Sequence, residues 1–288
     1  MSFKDLTKKE LMESEAFCVI PWIHMHPWPD GRVFTCCLSE LHSPVGNLND
    51  EGATLESVWN GPGLKQFRLD MLNHKKLSNC NRCYEQEAHG HQTLRKRSND
   101  EFIQGLHNPH GKDQFEEVRN THEDGSVDGV NMTYMDIRFS NICNMRCRSC
   151  GPDLSSQWFQ DAVDSQFNKT PTQAIHQIKK GQTDFLTSFD PYLDTVEKIY
   201  WAGGEPLIMD EHWYIMNKLV DMGRTKLNTP MRIYYNTNFS KLTYKGNDAV
   251  ELWKKFESVG IGASIDASGK RGEYLRKGTI WKDIVANR

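Results

Sequence analysis

The amino-acid sequence predicts an α/β protein in which a small, cysteine-rich α+β domain precedes a parallel sheet. Two observations lead to this prediction. In the second half of the 288-residue chain, strand-like apolar runs alternate with helical patterns, which is the order found in parallel sheets. In the first hundred residues, short elements are separated by turn residues, and this region carries five of the eight cysteines.

Length and charge restrict the class of protein. A chain of 288 residues agrees with two domains. The 35 Lys and Arg residues nearly balance the 38 Asp and Glu residues, so neither nucleic acid nor an anionic membrane is expected as a partner. No apolar run approaches the roughly 20 residues of a membrane span. The first residues, MSFKDLTKKELMESEAF, lack the apolar core of a signal peptide, so a cytoplasmic location is expected.

The N-terminal elements are predicted from turn and cap residues. Asp30-Gly31 separates the runs CVIPWIHMH and RVFTCC, which predicts a hairpin with its turn at 29–31. Thr54 is a predicted cap for a helical turn, and a second helix is expected after Pro62. These elements are short, as expected for a small domain.

Residues 95–131 are charged and rich in Gly, Asn and His, without apolar periodicity. This composition predicts a linker or a long surface excursion. The predicted organisation is therefore a cysteine-rich domain at 1–94, the linker at 95–131 and an α/β domain at 132–288.

The α/β domain is predicted from alternating strands and helices. The predicted strands cover 134–140, 196–204, 231–238 and 260–267. The predicted helices cover 154–167, 172–180, 212–222, 249–258 and 281–287. Because the carboxyl ends of parallel strands meet at one edge of a sheet, the residues that follow these strands are expected to form one site.

Three cysteines lie in the loop after the first of these strands. The segment Cys143-Asn-Met-Arg-Cys147-Arg-Ser-Cys150 places three thiolates within eight residues. A structural zinc site requires four ligands, usually as two pairs that are far apart in sequence. Three ligands in one loop fit an iron–sulfur cube whose remaining iron is open to another ligand. A zinc knuckle with a fourth ligand from elsewhere, or simply reduced thiols, is the alternative.

Two motifs resemble the radical S-adenosylmethionine (radical SAM) superfamily: the three-cysteine loop after one strand, and Gly-Gly-Glu-Pro at 203–206 after the next. The resemblance implies a parallel (β/α) barrel in which Cys143, Cys147 and Cys150 bind a [4Fe-4S] cluster. It also implies that S-adenosylmethionine chelates the fourth iron. Reductive cleavage of this cofactor would give a 5′-deoxyadenosyl radical that abstracts hydrogen from the substrate.

The same resemblance implies contacts to S-adenosylmethionine. The segments 235–238 and 264–266 look like strand-end positions that hydrogen-bond the ribose and the methionine carboxylate, and Arg276 is a candidate partner of that carboxylate. No general base is assigned, because nothing in the sequence chooses among the acidic and phenolic groups near these segments. The predicted cofactor-binding residues are Gly203, Gly204, Glu205, Pro206, Asn236, Asn238, Ser264, Asp266 and Arg276.

The family barrel has six β/α units, whereas four strands are visible in this sequence. A partial barrel is therefore expected. Either the chain is incomplete at its C-terminus, or a partner or the N-terminal half covers the open edge of the sheet.

The N-terminal cysteines are predicted to form a second metal site. The hairpin brings Cys18 and Cys36 together, and a returning helix adds Cys80 and Cys83, which completes a cage of four thiolates. Because no iron is left open, such a site serves electron transfer or structure, and zinc is the alternative. Cys37 is either spare or the true ligand in place of Cys36.

This arrangement resembles the SPASM domain and its shorter twitch form, which carry an auxiliary iron–sulfur cluster. That module usually follows the radical SAM domain, whereas here it precedes it. The two resemblances together cover 16–94 and 132–288. The other residues that support the SPASM resemblance are Pro21, Trp22, Asp30, Gly31, Gly46, Asn47, Leu48, Leu55, Trp59, Asn60 and Arg68.

The resemblances imply a radical SAM enzyme with an auxiliary cluster, acting on a peptide. The alternatives are a sugar or other small metabolite as substrate, and a non-catalytic iron–sulfur or zinc scaffold or electron carrier. An external electron donor such as flavodoxin or ferredoxin is the expected partner besides the substrate.

Several other polar residues are expected to be solvated rather than functional. The histidines at 24, 26, 89, 91, 107, 110 and 122 are scattered through turns and the predicted linker. The charges of Lys8-Lys9-Glu10 and Arg95-Lys96-Arg97 are likewise interpreted as solvated.

Overall fold

A computed structural model describes residues 3–103, 114–165, 171–179, 181, 183–225 and 231–288. The chain forms two compact units. The first comprises Met1–Pro27, Arg32–Asp136 and Thr195–Glu197. The second comprises Trp28–Gly31, Ile137–Asp194 and Lys198–Arg288. Among the described residues, none of the helices has both the length and the apolar character needed to cross a membrane.

The first unit is built from short helices and strands. Its elements in chain order are α1 (Lys8–Glu13), α2 (Ile20–Ile23), β1 (His26–Pro27), β2 (Arg32–Phe34), β3 (Gly46–Asn47), α3 (Leu55–Trp59), α4 (Pro62–Leu72), a 3-10 helix (Ser78–Cys80), α5 (Asn81–Ala88), α6 (Leu94–Ile103), α7 (Gln114–Arg119) and β4 (Tyr134–Met135).

The predicted hairpin is confirmed. Strands β1 and β2 pair antiparallel, with His26 opposite Phe34, and β2 pairs antiparallel with β3. In the turn between β1 and β2, the Gly31 amide donates to the Trp28 carbonyl at 2.8 Å. Gly31 has a φ of 88°, a backbone conformation that glycine adopts without steric cost.

The two predicted helices at 54–72 are also confirmed. Thr54 and Ser57 form a reciprocal capping box at the start of α3, which satisfies backbone N–H groups that the helix leaves unpaired. Pro62 occupies the first turn of α4, where its missing N–H costs nothing. The apolar sides of both helices are buried, including Leu55, Trp59 and Phe67.

The segment 95–131 differs from the prediction of a linker or surface excursion. It contains most of α6 and all of α7, and the first unit extends to Asp136. Phe102 and Phe115 are buried and meet edge to face at 5.1 Å between ring centroids. Sparse aromatic residues therefore anchor a stretch whose overall composition is polar.

The second unit contains the longer strands. Its elements are β5 (Arg146–Cys147), a 3-10 helix (Ser156–Trp158), α8 (Phe159–Asp164), α9 (Thr183–Thr187), α10 (Asp190–Leu193), β6 (Lys198–Trp201), a 3-10 helix (Pro206–Ile208), α11 (Asp210–Asp221), β7 (Arg232–Thr237), β8 (Thr243–Tyr244), β9 (Asn247–Asp248), α12 (Ala249–Trp253), β10 (Ser258–Ala263), α13 (Gly269–Leu275), β11 (Arg276–Lys277) and α14 (Trp281–Ala286).

Parallel strands are present where the sequence predicts them. Strands β6, β7 and β10 lie side by side and parallel, with β7 in the middle. Ile233 and Tyr235 of β7 are buried, as expected for an inner strand. The segments 203–206, 236–238 and 264–266 follow the carboxyl ends of these strands or include their last residues, which places the predicted site residues at one edge.

Several predicted elements of this region differ from the structure in extent or type. The helix predicted at 249–258 ends at Trp253, and the one predicted at 154–167 covers only Phe159–Asp164. The strand predicted at 134–140 is limited to Tyr134–Met135. The helix predicted at 172–180 is absent over the described residues 171–179. The backbone of this segment instead hydrogen-bonds to residues 139–141. The Asn141 amide donates to the His176 carbonyl at 3.1 Å, and the Ile178 amide donates to the Phe139 carbonyl at 3.0 Å.

Candidate metal centres

The first candidate site is a small cavity in the first unit that is lined by four cysteines. Cys18 precedes α2, Cys36 follows β2, Cys80 ends a 3-10 helix and Cys83 lies in the first turn of α5. Cys18 and Cys83 are buried, and Cys36 and Cys80 are half-buried. Cys37 is exposed. The structure therefore places Cys36, rather than its neighbour, in the cavity with the other three thiols.

Three thiols of this cavity, those of Cys18, Cys36 and Cys80, disfavour ionisation in the absence of a cation. Burial raises the pKa of Cys18, and the charges of Cys80 and Cys83 raise it further. Burial, with contributions from Cys37, Cys18 and Cys80, raises the pKa of Cys36. Burial and the charge of Cys83 raise the pKa of Cys80 to about 12. Because the thiolate is the form that binds metal, a metal centre would supply the positive charge that these groups require.

Arg95 holds the segment that leads into the first cysteine. Its Nη1 donates to the carbonyl oxygens of Ser14 at 3.2 Å and Phe17 at 2.8 Å. Its Nε donates to Glu87 Oε1 at 3.0 Å, and its Nη2 contacts the other oxygen of that carboxylate. Glu87 lies on α5, the helix that carries Cys83. The expectation that Arg95 is solvated is wrong, since only 8% of its side chain is exposed.

Arg68, one of the residues that support the SPASM resemblance, is fully buried. Its Nε donates to the Pro21 carbonyl at 3.0 Å, and its guanidinium lies 5.2 Å from the centroid of the Trp59 ring. Its Nη1 is 3.4 Å from Asn60 Oδ1. Burial lowers the pKa of Arg68 to about 10. The side chain thus connects several of the motif residues to α4.

The second candidate site is the three-cysteine loop of the second unit. Cys143 and Cys147 are buried together with Met145, and Cys150 packs against them. Burial raises the pKa of all three thiols, that of Cys143 to about 11. The nearby charge of Glu205 contributes to the rise at Cys143 and Cys147. As in the four-cysteine cavity, a bound cation would stabilise the thiolate forms of these cysteines.

Neighbouring residues fix the backbone of this loop. Ser155 Oγ donates to the Met145 carbonyl at 2.7 Å, and Trp158 Nε1 donates to the Cys147 carbonyl at 3.0 Å. Strand β5 also pairs antiparallel with β11, which sets Cys147 opposite Arg276. The cysteines therefore lie on a loop whose carbonyl groups are hydrogen-bonded to the protein itself.

Arg276 brings a positive charge to one cysteine sulfur. Its Nη1 lies 3.5 Å from Cys147 Sγ, and the proximity of the guanidinium opposes the rise in the pKa of that thiol. Its Nη2 and Nε lie 3.0 and 2.9 Å from the two carboxylate oxygens of Asp266. Asp266 therefore orients the guanidinium that faces the sulfur. Hydrogen bonds and charge at a cysteine sulfur are a common means of tuning a metal cluster.

The glycines after β6 permit a close approach to the cysteine loop. Gly204 has a φ of 38°, and a Cβ atom there would lie 2.2 Å from the Ile142 carbonyl oxygen. The next amide, that of Glu205, donates to this same carbonyl at 2.8 Å. Glu205 is buried, and its carboxylate accepts from Thr237 Oγ1 and from the Asn238 amide, both at 2.7 Å. The segment thus joins two strand ends to the loop.

Asn144 and Ser240 are two residues of this network that the sequence analysis did not identify. Asn238 Nδ2 donates to Asn144 Oδ1 at 2.7 Å, and Asn144 Nδ2 donates to Ser240 Oγ at 2.9 Å. Ser240 Oγ in turn donates to Asn238 Oδ1 at 2.6 Å. The signal that could have found Asn144 is its position between two predicted ligands, Cys143 and Cys147.

Comparison with known protein families identifies one region of the chain. Residues 18–84 match the SPASM family model, which describes an iron–sulfur cluster-binding domain. The match covers all four cysteines of the first cavity. It confirms the part of the sequence prediction that concerns an iron–sulfur cluster-binding domain in this region. No curated protein and no solved structure matches the chain.

The residues of the SPASM region fit an iron–sulfur cluster. The donor set contains only sulfur, the four thiols line one cavity, and two of them are buried. The charge of Arg95 opposes the rise in the pKa of both Cys18 and Cys80. In this region, the cluster would be held by Cys18, Cys36, Cys80 and Cys83.

The predicted cofactor contacts fall into two groups. Four of them, Asn238, Ser264, Asp266 and Arg276, line one small cavity. Residues 203–206 lie beside the cysteine loop, as described above, and Pro206 begins a 3-10 helix. Asn236 is exposed and is not part of the wall of that cavity.

A larger cavity of about 460 Å³ lies beside β5. Its wall carries charged and aromatic groups: Arg146, Arg148, Trp158, Asp161, Glu273, Tyr274 and Lys277. Arg146 pairs with Asp161, and the Arg148 guanidinium lies 4.0 Å from the centroid of the Tyr274 ring. Each of the two arginines of the cysteine loop therefore contacts another side chain of this wall, Arg146 by an ion pair with Asp161 and Arg148 by a cation–π contact with Tyr274.

Proposed function

We propose that this chain is a radical SAM enzyme with a SPASM-type auxiliary cluster, and that its second unit is a partial radical SAM barrel. Cys143, Cys147 and Cys150 would hold a [4Fe-4S] cluster. The observation that carries the proposal is the convergence of these three thiols beside 203–206, at the carboxyl edge of parallel strands.

The chain's own residues would bind and orient the cofactors. When bound, the cluster and S-adenosylmethionine would supply one chemistry, the one-electron reductive cleavage of a sulfonium C–S bond to methionine and a 5′-deoxyadenosyl radical. Arg276 holds positive charge at Cys147, and Asp266 fixes its direction. Glu205 holds the end of β7 beside the loop through its bonds to Thr237 and Asn238.

The SPASM region supports an auxiliary role for the first unit. Four cysteine ligands would leave no iron open, so this centre would transfer electrons or stabilise the unit rather than bind S-adenosylmethionine. Its electrons, and those for the three-cysteine site, would come from an external donor such as flavodoxin or ferredoxin.

A peptide is the proposed substrate, because the resemblance to SPASM enzymes implies this class. The cavity beside β5 supports a charged substrate, since basic, acidic and aromatic side chains all line it. The enzyme is proposed to act in the cytoplasm.

The proposal is tested by anaerobic purification, cluster reconstitution, reduction and electron paramagnetic resonance with and without S-adenosylmethionine. We expect a cluster signal that changes when the cofactor is added, together with formation of 5′-deoxyadenosine. Cys143→Ala is expected to abolish both, because it removes one of three ligands of the open cluster. Cys37→Ala is the matched control and is expected to retain both, since Cys37 lies outside the cavity.

A signal that is indifferent to the cofactor, without 5′-deoxyadenosine, would contradict the proposal. The chain would then be an electron carrier or an iron–sulfur scaffold.

A further inference from the structure

The cavity of about 460 Å³ beside β5 has more basic than acidic side chains in its wall. Three basic groups, Arg146, Arg148 and Lys277, line it together with two acidic groups, Asp161 and Glu273. Its volume lies in the range of cavities that bind small ligands or a few residues of a peptide. The partners of these five groups decide which charge a ligand should carry.

Both acidic groups of the wall already have partners within the protein. Asp161 forms an ion pair with Arg146. Glu273 Oε1 accepts a hydrogen bond from the Trp281 backbone amide at 2.8 Å. Among the residues that the structure describes, by contrast, neither Arg148 nor Lys277 forms an ion pair. An anionic group of a ligand would supply the opposite charge that these two cations lack.

The Arg148 side chain is held in place with its donors available. Its backbone amide donates to the Leu275 carbonyl at 2.9 Å, and its guanidinium lies 4.0 Å from the centroid of the Tyr274 ring. No hydrogen bond joins this guanidinium to another side chain or carbonyl in the part of the chain that the structure describes. A guanidinium can bind a carboxylate through two parallel hydrogen bonds, whereas an ammonium acts as a point charge.

Strand geometry places the cavity on the opposite face of β5 and β11 from the cysteine sulfur. Cys147 and Arg276 are paired, and their side chains meet on one face, with Arg276 Nη1 3.5 Å from Cys147 Sγ. The neighbouring pair is Arg146 and Lys277. Because successive side chains of a strand alternate between faces, this pair lies on the other face, where both residues line the cavity. A ligand in the cavity is thus separated from Cys147 Sγ by the strands themselves.

We propose that Arg148 and Lys277 bind a carboxylate of the peptide substrate in this cavity, at a distance from the atom that loses hydrogen. The identification of the ligand as the substrate rests on the proposed function, whereas its negative charge is inferred from the cavity. An extended peptide spans about 3.3 Å per residue, so it can occupy the cavity and a second place on the protein at once. The carboxylate would belong to an acidic side chain or to the C-terminus of the peptide, since both offer the same two oxygens.

The test compares the binding of three short peptides to the full chain with its clusters reconstituted. The first, acetyl-Ala-Phe-Glu-Gly-amide, offers a side-chain carboxylate, and the second has Gln in place of Glu and offers none. The third is the Gln peptide with a free C-terminus. Dissociation constants are measured at low salt by saturation-transfer nuclear magnetic resonance. We expect the Glu peptide, the free-terminus peptide or both to bind about fivefold more tightly than the neutral peptide, which identifies the source of the carboxylate.

Two variants locate the bound carboxylate. Arg148→Gln is expected to reduce the preference to less than about twofold, because it removes the paired donors and the charge. Lys277→Gln is expected to reduce it by a smaller factor, because an ammonium contributes a single point charge. Arg271→Gln is the matched control, since Arg271 is exposed on α13, the helix that carries Tyr274, and does not line the cavity. It changes the net charge equally and is expected to keep the full preference.

Three results would overturn the proposal. They are equal binding of all three peptides by the unaltered chain, an unchanged preference in Arg148→Gln, and an equal loss of preference in Arg271→Gln, which would indicate only a general attraction by charge. Circular dichroism and iron content report whether each variant folds, and Lys277→Gln decides the question if Arg148→Gln does not. An Arg148→Gln variant that binds the peptides normally but is reduced more slowly by flavodoxin would assign the cavity to the electron donor instead.

Formation of 5′-deoxyadenosine, measured on the same preparations without peptide, tests the proposed function separately. A preference for the carboxylate without 5′-deoxyadenosine would contradict the radical SAM proposal and leave an anion-binding cavity. Formation of 5′-deoxyadenosine without the preference would contradict only the carboxylate site.

Discussion

Arg95 shows how one buried side chain can hold the segment that leads into a cysteine of the SPASM region. Its guanidinium bonds to two carbonyl groups just before Cys18 and to Glu87 on the helix that carries Cys83. The ion pair between Arg95 and Glu87 stabilises the charged form of both groups, so the pKa of Arg95 is raised and that of Glu87 is lowered. Both side chains are less than a tenth exposed, so removal of one would leave the other charge buried.

We expect Arg95→Met to lower the free energy of unfolding by about 3–5 kcal/mol, the range for breaking a buried ion pair by removing one partner. The measurement is urea unfolding of the cluster-free chain, so that metal binding does not contribute. Arg97→Met is the matched control on the same helix. Since Arg97 is exposed, its substitution is expected to change stability by less than about 0.5 kcal/mol. Equal losses in the two variants would show that Arg95 has no special role.

The grouping of the cysteines was easier to predict from the sequence than the burial of individual polar side chains. Seven of the eight cysteines could be assigned to two sites because they form two separate groups along the chain. The burial of Arg95, His24 and His26 could not be predicted, because it depends on residues far away in the chain, such as Ser14 for Arg95 and Tyr134 for His24. A charged or polar run is therefore weak evidence for exposure when a distant acceptor exists.

At the level of elements, the contact between 203–206 and the cysteine loop depends on the absence of a side chain at Gly204. A Cβ atom there would meet the Ile142 carbonyl oxygen at 2.2 Å and Met209 Cε at 2.6 Å. The carbonyl belongs to the residue just before Cys143, so a shift of this contact moves the first cysteine of the loop.

Gly204→Ala is expected to cost more than about 1–3 kcal/mol of stability, since overpacking against backbone adds to the strain of a positive φ. We also expect loss of the spectroscopic signal that responds to S-adenosylmethionine. Gly223→Ala is the matched control: Gly223 has a φ of 71°, but a Cβ atom there meets nothing within 4 Å. It should cost roughly 1–2 kcal/mol and leave that signal intact. If both variants behave alike, close packing at Gly204 is not required.

Elements with local signals were predicted well, and those stabilised by distant pairing were not. The hairpin at 29–31 and the capped helix after Thr54 follow from turn and cap residues that act over a few positions. The false helix at 172–180 failed because its backbone pairs with residues near 140. The helices within 95–131 were missed because only a few apolar residues, such as Phe102 and Phe115, anchor them.

On the scale of the whole molecule, the two cysteine sets belong to different compact units. The four SPASM cysteines all lie in the first unit, and Cys143, Cys147 and Cys150 all lie in the second. All thiols of each set come from a single unit. This division was predictable from the sequence, because each set forms a group that is separated from the other by about sixty residues.

Because each set of cysteines lies within one unit, we expect the two proposed clusters to be lost independently. Cys18→Ser with Cys83→Ser removes two proposed ligands of the SPASM region, and Cys143→Ser with Cys147→Ser removes two proposed ligands of the loop. Each pair of substitutions should remove about half of the bound iron if both clusters are of the four-iron type. The first variant should keep the signal that responds to S-adenosylmethionine, and the second should keep only the signal that does not. Iron analysis and electron paramagnetic resonance on both variants decide the matter, since loss of both signals in either one would mean that the units do not assemble their clusters separately.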